Sequence, residues 1–371
     1  MNYKKRIALI LPKISLKNYY EPFFIGLSEF FIVDVIVYSF EDNNDCNYSI
    51  IDINDRLGKI SKKTSGNIHY IACIFESIKL ISEIKYDFLY IFNHKFCFLF
   101  SIFLRRVPKI LTTYTFSVSK NKIKAKLKNY FFFRINVNAF RYVFTPIDYL
   151  QKEFGLSPQK NIIVDWGFST YSKTKKFFCS IDLLYVGVFD FREISSTILG
   201  LAKFIAEYNN KIVVTYHIIG YGSEEEIKKL KKTIINYKLE KVITFIGYVE
   251  HDELKNYFDK CNIGVSYVPK RKVYEDVKVS KTYEYLLSGM PVIATDLKEN
   301  IKVIDDDNGV IINANPDGFY KGLVKIYNNL KHYDSEKIYT KSRMFSQEYV
   351  VKNIIYPNIL KIIEKWTLTD L

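Results

Sequence analysis

From Phe88 to Ile147 the chain has no aspartate and no glutamate. Eleven basic residues fall in that window: Lys95, Arg105, Arg106, Lys109, Lys120, Lys122, Lys124, Lys126, Lys128, Arg134 and Arg141. No apolar run reaches the roughly 18 residues that a membrane-crossing helix needs. The most apolar stretch, Phe88 to Val107, is interrupted by Asn93, His94 and Lys95 and closed by Arg105 and Arg106. A signal peptide is not expected either, because Ile7 to Leu11 is too short for a secretory apolar core and ends at Pro12-Lys13. No two of the five cysteines form a C-x-x-C pair, and their odd number leaves one outside any internal disulfide, which points to a reducing, cytoplasmic setting. Neither G-x-S-x-G nor G-x-x-x-x-G-K-[ST] occurs, which removes serine hydrolases of that type and P-loop ATPases. His69, His94, His217, His251 and His332 show no shared ligand spacing, so no metal site and no cofactor are expected.

What is present is the composition of a folded protein. Hydrophobic residues make up 48% of 371 and charged residues 25%, ample for two cores of roughly 150 to 200 residues each. The net charge of +14 is concentrated in the N-terminal half. There Lys120 to Lys128 runs into Tyr130-Phe131-Phe132-Phe133-Arg134, a mixture of cations and aromatics suited to an anionic membrane surface. The alternative is a solvated basic loop whose aromatics enter the core. Nucleic acid is not the expected partner, since no zinc spacing, helix-turn-helix pattern or aromatic RNA-binding signature accompanies the charge.

Short apolar runs alternate with helical patterns along the chain, the signature of parallel sheets with crossover helices. The first half predicts strands at Arg6–Leu11, Phe31–Tyr38, Asn67–Ala72, Phe88–Phe92, Lys109–Thr113, Tyr142–Thr145 and Asn161–Val164, with helices between them, one at Ile147–Phe154. The pattern dissolves into Ser, Thr and Lys near Gly167–Ser180 and resumes at Ile181. The expected units are 1–172 and 173–347, each Rossmann-like, with a closing helical segment at 348–371, and the fold class is α/β.

Ligands of open parallel sheets bind beyond the carboxyl ends of the strands. Gly187, Gly220-Tyr221-Gly222 and Gly247 all follow predicted strands in the second half, where glycine lets backbone approach a ligand. Tyr274 to Thr295 carries more information. Ser280 reads as an N-cap and Gly289 as the helix stop. The Ser280-Lys281-Thr282 edge would offer backbone N–H groups and a cation to a diphosphate, and Glu284 a carboxylate for ribose hydroxyls. The acid-then-base run Glu224 to Lys232 reads as a solvated helix face.

The segment from Tyr274 resembles the donor-site signature of glycosyltransferase family four, retaining enzymes of GT-B fold whose hallmark is two acidic residues separated by seven positions. Here that spacing is Asp276-x7-Glu284, followed by Tyr285-Leu286-Leu287-Ser288-Gly289-Met290-Pro291. The resemblance implies two Rossmann-like domains facing a cleft, with 1–172 the acceptor domain, 173–347 the donor domain and 348–371 a helix crossing back to the first. It also implies that Glu284 binds the nucleotide ribose, that the first acid contacts the donor sugar, and that Ser280-Lys281 hold the diphosphate. Further stretches follow in family order: the strand to Gly187, Ile218-Ile219-Gly220-Tyr221-Gly222, Phe245-Ile246-Gly247-Tyr248, and Asn308-Gly309. Departures are plain. Asp276 stands for the usual glutamate, with Glu275 beside it. The arginine and lysine that the family carries after the first glycine are absent, leaving Arg192 as the nearest cation, with Lys270, Arg271 and Lys272 as others.

The resulting expectation is a retaining glycosyltransferase. It would move a sugar from a nucleoside-diphosphate donor to a hydroxyl of a glycan or lipid-linked acceptor in polysaccharide or lipopolysaccharide biosynthesis, on the cytoplasmic face of a membrane. Asp276, Glu284 and His94 are the expected catalytic residues. Gly187, Arg192, Gly220, Gly222, Gly247, Tyr248, Ser280, Lys281, Thr282 and Glu284 are the expected donor contacts. His94 has a second reading, as a cap on the next helix. A nucleotide-sugar epimerase of the same architecture and a non-catalytic relative are the competing functions.

Overall fold

The computed structural model describes residues 4–12, 21–38, 49–57, 66–113, 133–146, 155–164, 167–208, 211–271, 274–275 and 277–369. Asp276, Lys272, the run Lys120–Phe132 and the helix expected over 147–154 lie outside them. The chain divides into two compact units, Met1–Gly167 with Gln347–Leu371, and Phe168–Ser346.

The first unit runs β1 (Arg6–Leu11), α1 (Glu21–Ser28), β2 (Ile32–Val37), β3 (Ser49–Asp52), α2 (Ile53–Leu57), α3 (Gly66–Ile84), β4 (Phe88–Phe92), α4 (Phe98–Phe103), β5 (Lys109–Thr112), α5 (Ile135–Ala139), β6 (Val143–Thr145) and β7 (Asn161–Ile163). Its seven strands are parallel, in the order β3-β2-β1-β4-β5-β6-β7. Side chains alternate across such a sheet. Accordingly Ile7, Leu9 and Leu11 enter one core while Ala8 and Ile10 enter the other. Both faces are covered at the centre of the sheet, which is why β1 and β4 read as apolar runs.

The second unit runs β8 (Ile181–Val188), α6 (Ser195–Tyr208), β9 (Val214–Tyr221), α7 (Glu224–Asn236), β10 (Ile243–Gly247), α8 (Leu254–Lys260), β11 (Ile263–Ser266), α9 (Ser280–Leu287), β12 (Val292–Thr295), α10 (Lys298–Ile301), β13 (Gly309–Ile312), α11 (Pro316–Asn329) and α12 (Ser335–Ser342). Its six parallel strands lie in the order β10-β9-β8-β11-β12-β13. Residues 168–180 belong here: Ser172 and Thr174 donate to Asp259, and Asn262 donates to the carbonyls of Phe177 and Ser180.

The chain then returns to the first unit through α13 (Gln347–Val350), a π-helical turn (Val351–Ile355) and α14 (Tyr356–Thr369). Ile355, Ile359, Ile362 and Trp366 pack with α1 against β1, β2 and β4. The Lys109 ammonium lies 4.6 Å from the Trp366 ring, a cation–π contact. The single helix expected here is interrupted because Pro357 has no N–H to give the Asn353 carbonyl, and the ladder widens before it.

A second correction concerns Asn67–Ala72, expected as a strand. It opens α3 instead, because the buried residues Cys73, Ile74, Ser77, Leu80 and Ile81 recur at helical spacing and extend the helix backwards. The edge of the sheet is formed by β3, whose Ser-Ile-Ile-Asp is too short and polar to read as a strand.

Candidate functional site

In each sheet the chain reverses its direction of progress once, between β1 and β4 in the first unit and between β8 and β11 in the second. A crevice opens at such switch points, beyond the carboxyl ends of the strands. In the second unit β8 pairs with β11 only at Leu183 and Leu184. Past that point the strands part, and the Tyr285 hydroxyl accepts the released Val186 N–H at 3.0 Å. Tyr285 can lie there because Gly264 has no side chain: a Cβ would fall 2.3 Å from the tyrosine ring. This contact seats α9 at the end of β8.

At that end Gly187 (φ 151°) faces Gly220 (φ 148°) across the sheet, and a Cβ on Gly220 would lie 1.7 Å from the Gly187 carbonyl oxygen. The Lys281 ammonium rests against Gly187, 3.1 Å from where a Cβ would sit, and 4.1 Å from the Tyr185 ring. Burial and the nearby Arg192 charge lower Lys281 from 10.5 to about 7, against the pull of Glu284. Glu284, one turn on, is raised from 4.5 to about 7 by burial, with Lys281 opposing. The Arg192 guanidinium donates to the Tyr274 hydroxyl at 2.5 Å and lies 4.4 Å from its ring. Among the described residues neither Arg192 nor Lys281 forms an ion pair. Two cations therefore share one half-buried place with a carboxyl group that is readily neutral, an arrangement that an anionic ligand would stabilise.

The start of α9 adds to this. Val279, not Ser280, holds the N-cap position, and no side chain caps the helix. Ser280 is already its first helical residue and is exposed. By contrast α7, α11 and α12 are capped by Ser223, Asn315 and Asp334 side chains. An uncapped helix start retains N–H groups and partial positive charge for an anion. Thr282 does not face it: its hydroxyl lies in a buried chain with Ser266 at 2.6 Å and Asn300 at 2.9 Å, so its side chain anchors the helix rather than contacting a ligand.

Gly247 (φ 87°) stands at the open end of β10. After it Tyr248, 63% exposed, meets Tyr221 edge to face at 6.2 Å. Gly222 packs under Phe189, with a Cβ position 2.9 Å from it. Asp276 is not among the described residues; Glu275 is, half-buried. His94 belongs to the other unit, at the end of β4. It is buried among Tyr38, Tyr70 and Phe100, its Nδ1 2.9 Å from the Lys95 carbonyl and its Nε2 3.4 Å from the Tyr38 hydroxyl. Burial lowers it to about 4, so at neutral pH it is an uncharged ring and a weak base. Sequence reasoning missed Tyr185, Tyr274 and Tyr285. Tyr185 was findable, two residues before Gly187 and thus on the same face of the strand; Tyr274 and Tyr285 touch partners far away in sequence.

Residues 180–329 match the model of the family described as glycosyl transferases group 1. A glycosyltransferase from Rickettsia africae superposes with a TM-score of 0.68 at 12% identity, covering 97% of this chain and all of that one. Anabaena HepE in complex with UDP and glucose gives 0.65 at 13% identity, over 95% and 99% of the two chains. WaaG, a glycosyltransferase involved in lipopolysaccharide biosynthesis, gives 0.60 at 13%, over 93% and 97%. No curated protein matches the sequence. Residues 180–329 thus carry a domain like that of the group 1 glycosyl transferases, and the chain as a whole shares the GT-B fold of these solved structures.

Proposed function

We propose that the protein transfers a sugar, with retention at the anomeric carbon, from a nucleoside-diphosphate donor to a hydroxyl of a lipid-linked or surface glycan. The observation that carries this reading is the meeting of Lys281, Arg192 and an uncapped helix start at the end of β8. A diphosphate there would restore full charge to Lys281, and the same groups would stabilise the leaving diphosphate as the glycosidic bond breaks. Glu284 would hold the ribose, and Asp276 or Glu275 would orient the donor sugar. The base would lie along Gly247, Tyr248 and Tyr221. No resident metal has a part in this scheme, so activity should persist in chelator. The donor-binding neighbour HepE, seen with UDP and glucose, supports a uridine donor as the first to try.

The acceptor side of the reading rests on the first unit. Ile68, Phe75, Ile102 and Phe103 are exposed there, with Phe75 and Phe103 rings 5.4 Å apart. Exposed Arg105 and Arg106 follow directly. Apolar side chains beside exposed cations suit the surface of an anionic bilayer, where a lipid-linked acceptor would be met; flotation that ignored anionic vesicles would remove this part.

The donor reading is tested by thermal shift with UDP, GDP, ADP and their sugar conjugates on wild type and Glu284→Ala. A ligand at 100 times its Kd adds about 2.7 kcal/mol. One nucleotide should stabilise the wild type selectively and lose that effect in the variant; no shift with any of them would overturn the reading.

A further inference from the structure

We infer that Tyr274 is a positioning residue for Arg192, a neutral clamp that aims the guanidinium without cancelling its charge. The inference rests on the anion-binding reading of the β8 end given above. Arg192 lies in the loop after β8, between Phe191 (φ 61°) and Glu193 (φ 55°). Both are in the left-handed region that side chains avoid, so the surroundings must hold this loop in shape. They do so without Tyr274. Phe189 N–H donates to the Tyr221 carbonyl, and the Ser223 N–H and hydroxyl donate to Asp190. Arg271 pairs with Glu193 at 3.1 Å and covers the Phe191 ring at 5.7 Å. The backbone of Arg192 is thus fixed, and what remains free is its long side chain.

Tyr274 restrains that side chain through one hydrogen bond and ring stacking. A guanidinium has five N–H donors, and Tyr274 takes one of them. The nearby acid Glu193 is engaged by Arg271 instead. A carboxylate in place of Tyr274 would grip Arg192 harder, but an incoming diphosphate would then have to displace it. A phenol orients the cation and leaves its charge available.

The test is calorimetric titration of the full chain with inorganic pyrophosphate and with UDP, GDP and ADP, together with melting curves. Arg192→Ala should weaken binding about 10- to 100-fold, the scale of lost charge-assisted hydrogen bonds. Tyr274→Phe should weaken it about 3- to 10-fold with the melting temperature unchanged. Tyr274→Glu separates positioning from mere structure. It offers Arg192 an ion pair, so the melting temperature should hold or rise while affinity falls about tenfold or more. Wild-type affinity in both Tyr274 variants, with Arg192→Ala still weak, overturns the positioning role alone. Affinity and melting temperature falling together in both Tyr274 variants also overturns it, as a structural effect. A wild type that binds neither pyrophosphate nor any of the nucleotides overturns the anion site and this inference with it.

Discussion

The two sheet ends share a topology and differ in chemistry. At the switch point of the first unit, Asn136 donates to the Asn93 side chain and the His94 carbonyl at 2.8 and 2.7 Å and accepts from Phe98 N–H, while Asn93 donates to Thr113. Neutral groups satisfy one another there, and the ring of His94 is closed in. At the switch point of the second unit, two cations share a half-buried place with no ion pair between them and any described residue, beside a helix without a cap. The crevice comes from the winding of the sheet in both cases. Whether it is a structural joint or a binding site is decided by whether its polar groups are already satisfied.

The largest effect should come from Lys281→Met. Affinity for the stabilising nucleotide and kcat/KM should fall about 100-fold or more, as when a preorganised cation is lost. The melting temperature should hold or rise, because the variant removes a charge that burial disfavours. A parallel loss of stability would erase the contrast between the two ends.

Asn136→Ala should do the opposite. It strands the Asn93 and Phe98 partners, and about 2 to 3 kcal/mol of stability should be lost in urea unfolding. Nucleotide affinity should stay within about twofold of wild type.

A smaller effect is expected from pH on the unliganded protein. Lys281, lowered from 10.5 to about 7, makes the unfolded chain bind more protons between those values, so its contribution to stability rises with pH across that window. Glu284, raised from 4.5 to about 7, makes the folded chain bind more protons below 7, so its contribution falls as pH rises from 4.5 to 7. The two slopes meet near pH 7. Relative to a Lys281→Met, Glu284→Gln variant, the wild type should therefore be least stable there, as melting curves from pH 5 to 9 would reveal. The smallest effect is expected at His94: it is already neutral near pH 7, so His94→Gln should leave the pH profile of activity between 6 and 8 unchanged.

Much of this molecule could be read from the residues in order. The parallel strands announced themselves because burial on both faces demands unbroken apolar runs, and β1 and β4 fall where those runs stand. Lys281, Glu284 and the glycines were legible because a helix start after a strand is a local pattern. β3 was not, since a four-residue edge strand with polar ends carries no periodic signal. The π-helical turn before α14 depended on one missing N–H whose consequence appears only within a packed helix.

By itself, then, the sequence determined two α/β halves and the helix start on which the candidate site stands, because periodicity and helix ends are written in neighbouring residues. Only the tertiary structure decided which polar groups are used up. It enclosed the Thr282 hydroxyl with Asn300 and buried His94 among aromatic rings. It also drew Lys281 against Gly187 and joined Arg192 to Tyr274, 82 positions apart in the chain. Such pairings depend on where strands part and helices seat, which is settled by packing over the whole domain and not by any local run of residues.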